Sequence, residues 1–238
     1  MNEPGEMFKA GNWYQEILVS LNFFQIVHAF LTDKEALKKH LDSLRVITAS
    51  DEGVSYHGLE TAPEFASHIE STVERGVQFH NRQMVVIAST YVELILRDFL
   101  TVLFSHFPSR MYKYLNAQDM AERRGFVSLK EIVQVGSLDE LLKNLSEKAT
   151  ANALKGRFSA QLNNLEKLTD ESIPGDLKRQ LTTVIEMRNR IVHETSAEVV
   201  SEVQVKGVLD TCHQLVSFLA FASSRKSIPL DEYSLFNL

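Results

Sequence analysis

Cysteine, proline and glycine are scarce in this chain of 238 residues, which contains one cysteine, five prolines and ten glycines. A single cysteine cannot form a disulfide within the chain, so a disulfide-stabilised scaffold is excluded and a reducing compartment is expected. So few prolines and glycines also exclude collagen-like repeats and long flexible linkers. Because Cys212 falls on an apolar face of a predicted helix, we expect a small buried hydrophobic residue rather than a reactive thiol.

A long apolar run without charges is also missing. Two apolar stretches cover residues 13–31 and 83–104, but the first contains Glu16 and the second contains Arg97 and Asp98. Neither stretch therefore fits a membrane span. The first residues lack the basic and apolar regions of a secretory signal. The sequence predicts a soluble cytoplasmic protein with no membrane partner.

The chain has no excess of basic residues: 25 Lys and Arg against 31 Asp and Glu give a formal net charge of −6. Proteins that bind nucleic acid by broad neutralisation of phosphates usually carry a basic excess. Contact with RNA would therefore depend on a local basic site.

Apolar residues recur at helical spacing along nearly the whole chain. The only β-like patch, residues 132–135, is too short to carry a sheet. The predicted fold class is all-α, an up-and-down helical bundle with additional N-terminal helices. We divide it into an N-terminal helical extension and loop (1–62), a helical bundle (63–227) and a C-terminal tail (228–238), unless all form one compact domain. The tail is expected to be loose or to bind a partner.

Local signals predict several helix boundaries. Thr32 and Glu35 form a capping-box pattern, residues 48–62 have the composition of a loop, and Pro63 suits the first turn of a helix. That helix is expected to continue to about residue 107, whole or broken near Gly76. Two later helices are expected to be capped by Ser137 with Glu140, and by Thr195 or Ser196 with Glu198.

The segment that points most directly to chemistry is Arg188-Asn189-Arg190-Ile191-Val192-His193, at the end of a predicted helix. Arginine can bind phosphate oxygens with a rigid fork of donors, and histidine can transfer a proton near neutral pH. The apolar stripe through Leu181, Val184 and Ile185 continues to Arg188, which predicts an inward-facing arginine. The helix end favours a positive charge at His193, so the two side chains would form a small anion site.

Structural explanations of the same residues remain open. Arg188 could pair with Glu93 on the central helix, or Glu93 could pair with Arg97 one turn away. His193 could donate to a carbonyl at the helix end. The same spacing of arginine and histidine also occurs at Arg75 and His80, so the spacing alone has little specificity.

Metal and nucleotide-hydrolase motifs are missing from the sequence. No two of the eight histidines have the spacing His-x-x-x-His, and one cysteine cannot form a cysteine-rich zinc site. The chain also has no Gly-x-x-x-x-Gly-Lys phosphate loop and no Gly-x-Ser-x-Gly nucleophile elbow. We therefore expect no metal and no cofactor.

The Arg188–His193 segment resembles the signature of the HEPN superfamily, which is an arginine, a polar residue, a few further positions and a histidine. The resemblance in sequence covers these six residues, and the helical pattern from about residue 64 to 225 is compatible with it. Residues 1–62 have no counterpart that we can identify in that family. The Arg75–His80 copy lacks the polar residue after arginine.

The resemblance implies a metal-independent endoribonuclease that acts as a toxin, an antiphage effector or an RNA-processing enzyme. It also implies a homodimer whose two motifs line one cleft, with RNA as substrate and an antitoxin or regulatory protein as a further partner. Arg188 would contact the scissile phosphate, Asn189 would orient the phosphate or His193, and His193 would transfer the proton. Glu93 and Arg190 would support these residues. Other members of the superfamily are inactive helical interaction modules, which is the alternative.

Overall fold

The computed structural model describes residues 7–50, 53–115, 137–193 and 198–231, apart from the side chains of residues 48–50 and 60. The fold is all-α with one small hairpin. The described helices are α1 (Ala10–Thr32), α2 (Lys34–Ser43), α3 (Pro63–His106), α4 (Tyr112–Leu115), α5 (Leu138–Ala153), α6 (Phe158–Thr169), α7 (Gly175–His193) and α8 (Glu202–Arg225). The strands are β1 (Arg45–Ser50) and β2 (Gly53–Gly58), and short 3₁₀ turns cover Leu59–Thr61 and Pro108–Met111. No helix in the described ranges is long and apolar enough to cross a membrane.

The 44-residue helix α3 is the centre of the fold. Pro63 occupies its first turn as predicted, and the helix passes Gly76 without a break. Its C-terminal half contacts the surrounding helices α1, α5, α7 and α8, and its buried residues run from Asn81 to Phe104. An apolar surface on several sides of a helix requires such a central position.

Helix α1 runs antiparallel to α3 and shares the same core. The indole Nε1 of Trp13 donates to a carboxylate oxygen of Asp98 at 2.9 Å, and the hydroxyls of Ser20 and Tyr91 are 2.7 Å apart. Phe24 of α1 is fully buried in the hydrophobic cluster that also contains the inner face of α3. The first helix is therefore part of the bundle's packing.

The chain after α8 caps the N-terminal end of α1. Ile228 is buried, and the carboxylate of Asp231 accepts hydrogen bonds from the backbone N–H groups of Gly11 and Asn12 at 2.7 and 3.0 Å. These amides have no partner within the helix, so Asp231 supplies the cap that α1 lacks locally. Residues 228–231 are therefore packed, and residues 232–238 lie outside the described ranges.

The sequence missed the β-hairpin. Strands β1 and β2 pair antiparallel from Arg45 opposite Gly58 to Ser50 opposite Gly53, so the prediction of a loop over residues 48–62 is wrong there. All but the last residue of β2 are exposed. Val54 and Tyr56 alternate with Ser55 and His57 in β2, but the alternation is only four residues long and lies between two glycines, so the sequence favours a loop there. The patch at residues 132–135 lies outside the described ranges.

Two of the three predicted caps are wrong. Helix α2 is capped by the carboxylate of Asp33, which accepts from the backbone N–H groups of Glu35 and Ala36, while Thr32 ends α1. Ser137 accepts from the backbone N–H of Glu140 at 3.2 Å, as predicted. Helix α8 begins later than expected, with a capping box between Ser201 and Gln204 in place of one with Glu198; residues 195 and 196 lie outside the described ranges.

Candidate functional site

The candidate motif occupies the last turns of α7. The buried face of this helix consists of Leu177, Leu181, Val184 and Met187. Met187, and not Arg188, therefore takes the next inward position, and the guanidinium lies at the half-buried edge of that face. The predicted inward arginine is wrong by one residue. The helical spacing of the apolar residues fits both positions, and the apolar side chain of Met187 is the one that is buried in the core.

The guanidinium of Arg188 has no carboxylate partner among the described residues. Its Nη1 donates to Oδ1 of the adjacent Asn189 at 3.1 Å, the only hydrogen bond of this guanidinium within the described ranges. The carboxylate of Glu93 is exposed and forms no ion pair there with Arg188 or with Arg97. Neither of the two alternative ion pairs weighed from the sequence is present.

His193 is the last residue of α7, and its imidazole is exposed. It has no hydrogen-bond partner among the described residues, including the carbonyls of the helix end. It lies five positions after Arg188, which corresponds to about 140° around the helix axis and about 7.5 Å along it. The two side chains therefore share one end of α7 but diverge, so a single extended ligand or a second chain is needed to engage both.

Arg190 differs from Arg188 because its charge is compensated. Its guanidinium forms a bidentate contact with the carboxylate of Glu198, with Nε–Oε2 and Nη2–Oε1 distances of 2.9 Å each. Arg190 thus connects the end of α7 to the segment that leads into α8.

Three polar side chains of α3 form hydrogen bonds with the same segment. Asn81 donates to the carbonyl of Val200 at 2.7 Å, Arg82 donates to the carbonyl of Glu198 at 2.8 Å, and Gln78 accepts from the N–H of Val200 at 3.0 Å. We call Gln78, Asn81 and Arg82 the α3 clasp. The clasp was not predicted from the sequence, although three polar residues at helical spacing beside an apolar helix face are a recognisable signal.

A cavity of about 610 Å³ opens beside Asn189, between α3, α7 and the connection from α5 to α6. Its lining residues are Glu93, Arg97, Leu154, Gly156, Arg157, Phe158, Ser159, Gln161, Thr182, Ile185, Glu186 and Asn189. We call it the Asn189 cavity. It brings together two residues predicted for the site, Glu93 and Asn189, that come from different helices. Arg188, Arg190 and His193 do not line it.

Cys212 is fully buried and its thiol lies 3.4 Å from the carbonyl oxygen of Ala88. Burial raises the pKa of this thiol to about 12, so a thiolate nucleophile is excluded at neutral pH. The predicted role as a small core residue is confirmed. Within the described ranges, no group of three or more His, Cys, Asp or Glu side chains could hold a metal ion.

Comparison of the chain with models of protein families, with curated proteins and with solved structures found no match.

Proposed function

We propose that this chain is a metal-independent endoribonuclease of the HEPN type, with Arg188 as the phosphate ligand and His193 as the proton-transfer residue. One observation carries the proposal. Arg188 and His193 lie at one end of a helix, and within the described ranges neither is neutralised by a carboxylate. Arg190 in the same motif differs, because the carboxylate of Glu198 compensates its charge.

The proposed reaction uses the nucleophile that RNA carries itself. The 2′-oxygen attacks the adjacent phosphorus, the bond from phosphorus to the 5′-oxygen breaks, and the products are a 2′,3′-cyclic phosphate and a 5′-hydroxyl. Arg188 stabilises the negative charge that develops on the phosphoryl oxygens, and its hydrogen bond with Asn189 restricts the guanidinium's orientation. His193 takes the proton of the 2′-hydroxyl or gives a proton to the leaving 5′-oxygen.

One imidazole cannot give and take a proton in the same step, so we propose that two copies of the chain pair and supply one histidine each. An exposed apolar face supports this pairing. Four exposed side chains of α1 at helical spacing form it: Val19, Phe23, Ile26 and Phe30. We call it the α1 apolar face. It lies on the side of α1 opposite the buried residues Ile17 and Phe24.

The same face favours a second candidate function, a non-catalytic helical module that binds another protein. Phe23 and Phe30 are 59% and 74% exposed and follow Val19 and Ile26 at helical spacing, and a contiguous apolar stripe of this kind is typical of an interaction surface. In that case Arg188 and His193 would have no role in cleavage, and a change on the apolar face would abolish binding to the partner protein only.

Cleavage of labelled single-stranded RNA in excess EDTA tests the proposed function. We expect the wild-type protein to leave 2′,3′-cyclic phosphate ends, and His193→Ala to be slower by roughly 10²–10⁴-fold. His57→Ala, which changes an exposed histidine of the hairpin, is the matched control and should cleave normally. Equal rates for wild type and His193→Ala would contradict the mechanism.

Sedimentation tests the pairing. We expect a dimer for the wild type, and a monomer with little cleavage activity for Phe23→Glu, because a buried carboxylate at the interface is unfavourable. Phe65→Glu places the same charge on an exposed residue near the start of α3, outside the α1 apolar face, and should leave the dimer intact. Dimeric Phe23→Glu would show that the chains do not pair over this face.

We further propose that the cellular role is that of a toxin or antiphage effector restrained by an antitoxin or regulatory protein. Expression of the wild type should then arrest growth, and expression of Arg188→Ala should not. Arrest by both proteins would show that the toxicity does not come from RNA cleavage.

A further inference from the structure

The Asn189 cavity contains four charged side chains that are not neutralised within the described ranges. Glu93 and Arg97 come from α3, Arg157 precedes α6, and Glu186 lies on α7 one turn before Asn189. All four are exposed, and none forms a hydrogen bond or an ion pair through its side chain with a described residue. Glu93 and Arg97 have the spacing at which helical residues commonly pair, yet they do not. Charged groups kept apart around one cavity are available to a ligand.

The rest of the lining suits a flat aromatic ligand with a charged end. Leu154, Phe158 and Ile185 are half-buried and give the cavity an apolar side, while the charged groups lie at its exposed rim. The volume of about 610 Å³ is in the usual range for a small-molecule site. A nucleotide combines the required parts, because its base can pack on apolar side chains, its base edge forms hydrogen bonds and its phosphate is an anion.

We propose that the Asn189 cavity binds one nucleotide of single-stranded RNA next to the bond that is cleaved. Arg97 and Arg157 bind the phosphate backbone of this nucleotide, and Glu186 binds the edge of its base. The proposal rests on the proposed endoribonuclease function and adds a substrate-selecting site to it. Asn189 connects the cavity to the proposed cleavage site, because it lines the cavity and also accepts the hydrogen bond from Arg188.

The chemistry of Glu186 selects a particular base. A carboxylate only accepts hydrogen bonds, and guanine offers two neighbouring donors, N1–H and the 2-amino group, on its Watson–Crick edge. Uracil offers one N–H between two carbonyl oxygens that repel the carboxylate. The cavity is therefore expected to prefer guanine to uracil.

Fluorescence anisotropy with the inactive His193→Ala protein tests the two arginines, because cleavage does not then disturb binding. The probe is a labelled oligouridylate with one central guanine. We expect Arg97→Ala and Arg157→Ala, each added to His193→Ala, to weaken binding roughly tenfold and to reduce the slope of log affinity against log salt by about 0.7. Arg75→Ala removes an exposed arginine of α3 outside the cavity and should bind like the parent.

The same assay tests the base contact. The parent should bind the probe with guanine roughly tenfold more tightly than plain oligouridylate, which corresponds to one good base contact. Glu186→Gln should lose most of this preference, and Glu64→Gln, an exposed carboxylate at the start of α3, should keep it. Circular dichroism verifies that each variant is folded.

The outcomes separate this site from the proposed function. If wild type cleaves RNA but Arg97→Ala and Arg157→Ala bind like the parent, the cavity does not bind RNA and the endoribonuclease proposal stands. If the guanine preference persists in Glu186→Gln, the base contact is wrong. If wild type cleaves no RNA and the parent binds none, both proposals fail.

Discussion

The spacing of arginine, four residues and histidine occurs twice in this chain, in opposite surroundings. In the first copy, His80 is half-buried and stacks on Phe24, with ring centroids 5.4 Å apart and planes at 19°. Its Nε2 atom is buried without a partner among the described residues, and Arg75 donates to its own helix, at the carbonyl of Ser71. In the second copy, His193 is exposed at a helix end and Arg188 is not held by an acid.

The comparison shows what a spacing can and cannot determine. It fixes the distance along a helix, but the neighbouring helices decide whether the imidazole can reach a ligand. In the middle of α3, the first histidine packs against α1, whereas the second is the last residue of α7 and is exposed. Chemistry at the second copy and a structural role for the first are the expectations that follow.

The largest expected difference is between the two arginines. Arg188→Ala should lower the rate of RNA cleavage by roughly 10²–10³-fold, the usual effect of removing a donor that stabilises transition-state charge. Arg75→Ala should leave the rate within about twofold, because its guanidinium binds its own helix. Single-turnover cleavage in EDTA measures both. Equal losses in the two variants would remove the distinction between the copies.

The next effect concerns the α3 clasp, which fixes the segment behind the second motif. Asn81 is buried and donates to the carbonyl of Val200. Asn81→Ala leaves that carbonyl without its partner, so we expect a loss of about 1–3 kcal/mol in the free energy of unfolding. Urea unfolding measures it, with an unchanged m value as the sign of two-state behaviour.

Gln83→Ala is the control for the clasp, because Gln83 is exposed on the same helix two residues away. It should change the free energy of unfolding by less than about 0.5 kcal/mol. If Asn81→Ala is as stable as Gln83→Ala, the clasp does not hold the segment.

The sequence was sufficient for the parts of the fold that depend on local chemistry and periodicity. The start of α3 at Pro63, the cap at Ser137 and the burial of Cys212 all follow from residues within a turn or two. The hairpin was not predicted because the alternating residues of β2 are few and flanked by glycines, and the cap of α1 was not predicted because Asp231 is 220 positions away from Gly11 in the sequence.

The candidate site, like the fold, was predictable only where it depends on residues close together in the sequence. The residue types and order of the motif could be identified from the sequence alone. The environment of Arg188 could not, because Met187 and Arg188 both fit the apolar period and only the packing chooses between them. The Asn189 cavity depends on three parts of the chain that are distant in the sequence, and the clasp depends on two.

A smaller effect sharpens the contrast between Arg188 and Arg190 inside the second motif. Arg190 binds Glu198 in a partly exposed bidentate pair, so Arg190→Gln should lower the free energy of unfolding by about 0.5–1 kcal/mol. A double-mutant cycle with Glu198→Gln isolates the pair. Cleavage should fall only a few-fold, and a hundredfold loss would instead make Arg190 part of the catalytic machinery.

The smallest effect is a pH dependence of stability that we expect at the first copy. Burial, and secondarily the nearby His28, lower the pKa of His80 from its ordinary value of 6.5. Below that value the unfolded chain binds the proton more readily than the folded protein, so His80 lowers the free energy of unfolding as the pH falls. In His80→Gln, urea unfolding between pH 8 and pH 5 should therefore show a shallower loss than in wild type, with the pH 8 value of each protein as its reference. If the free energy of unfolding falls with pH equally in both proteins, His80 is protonated as easily in the folded protein as in the unfolded chain. The buried surroundings of the first copy would then have no effect on its imidazole.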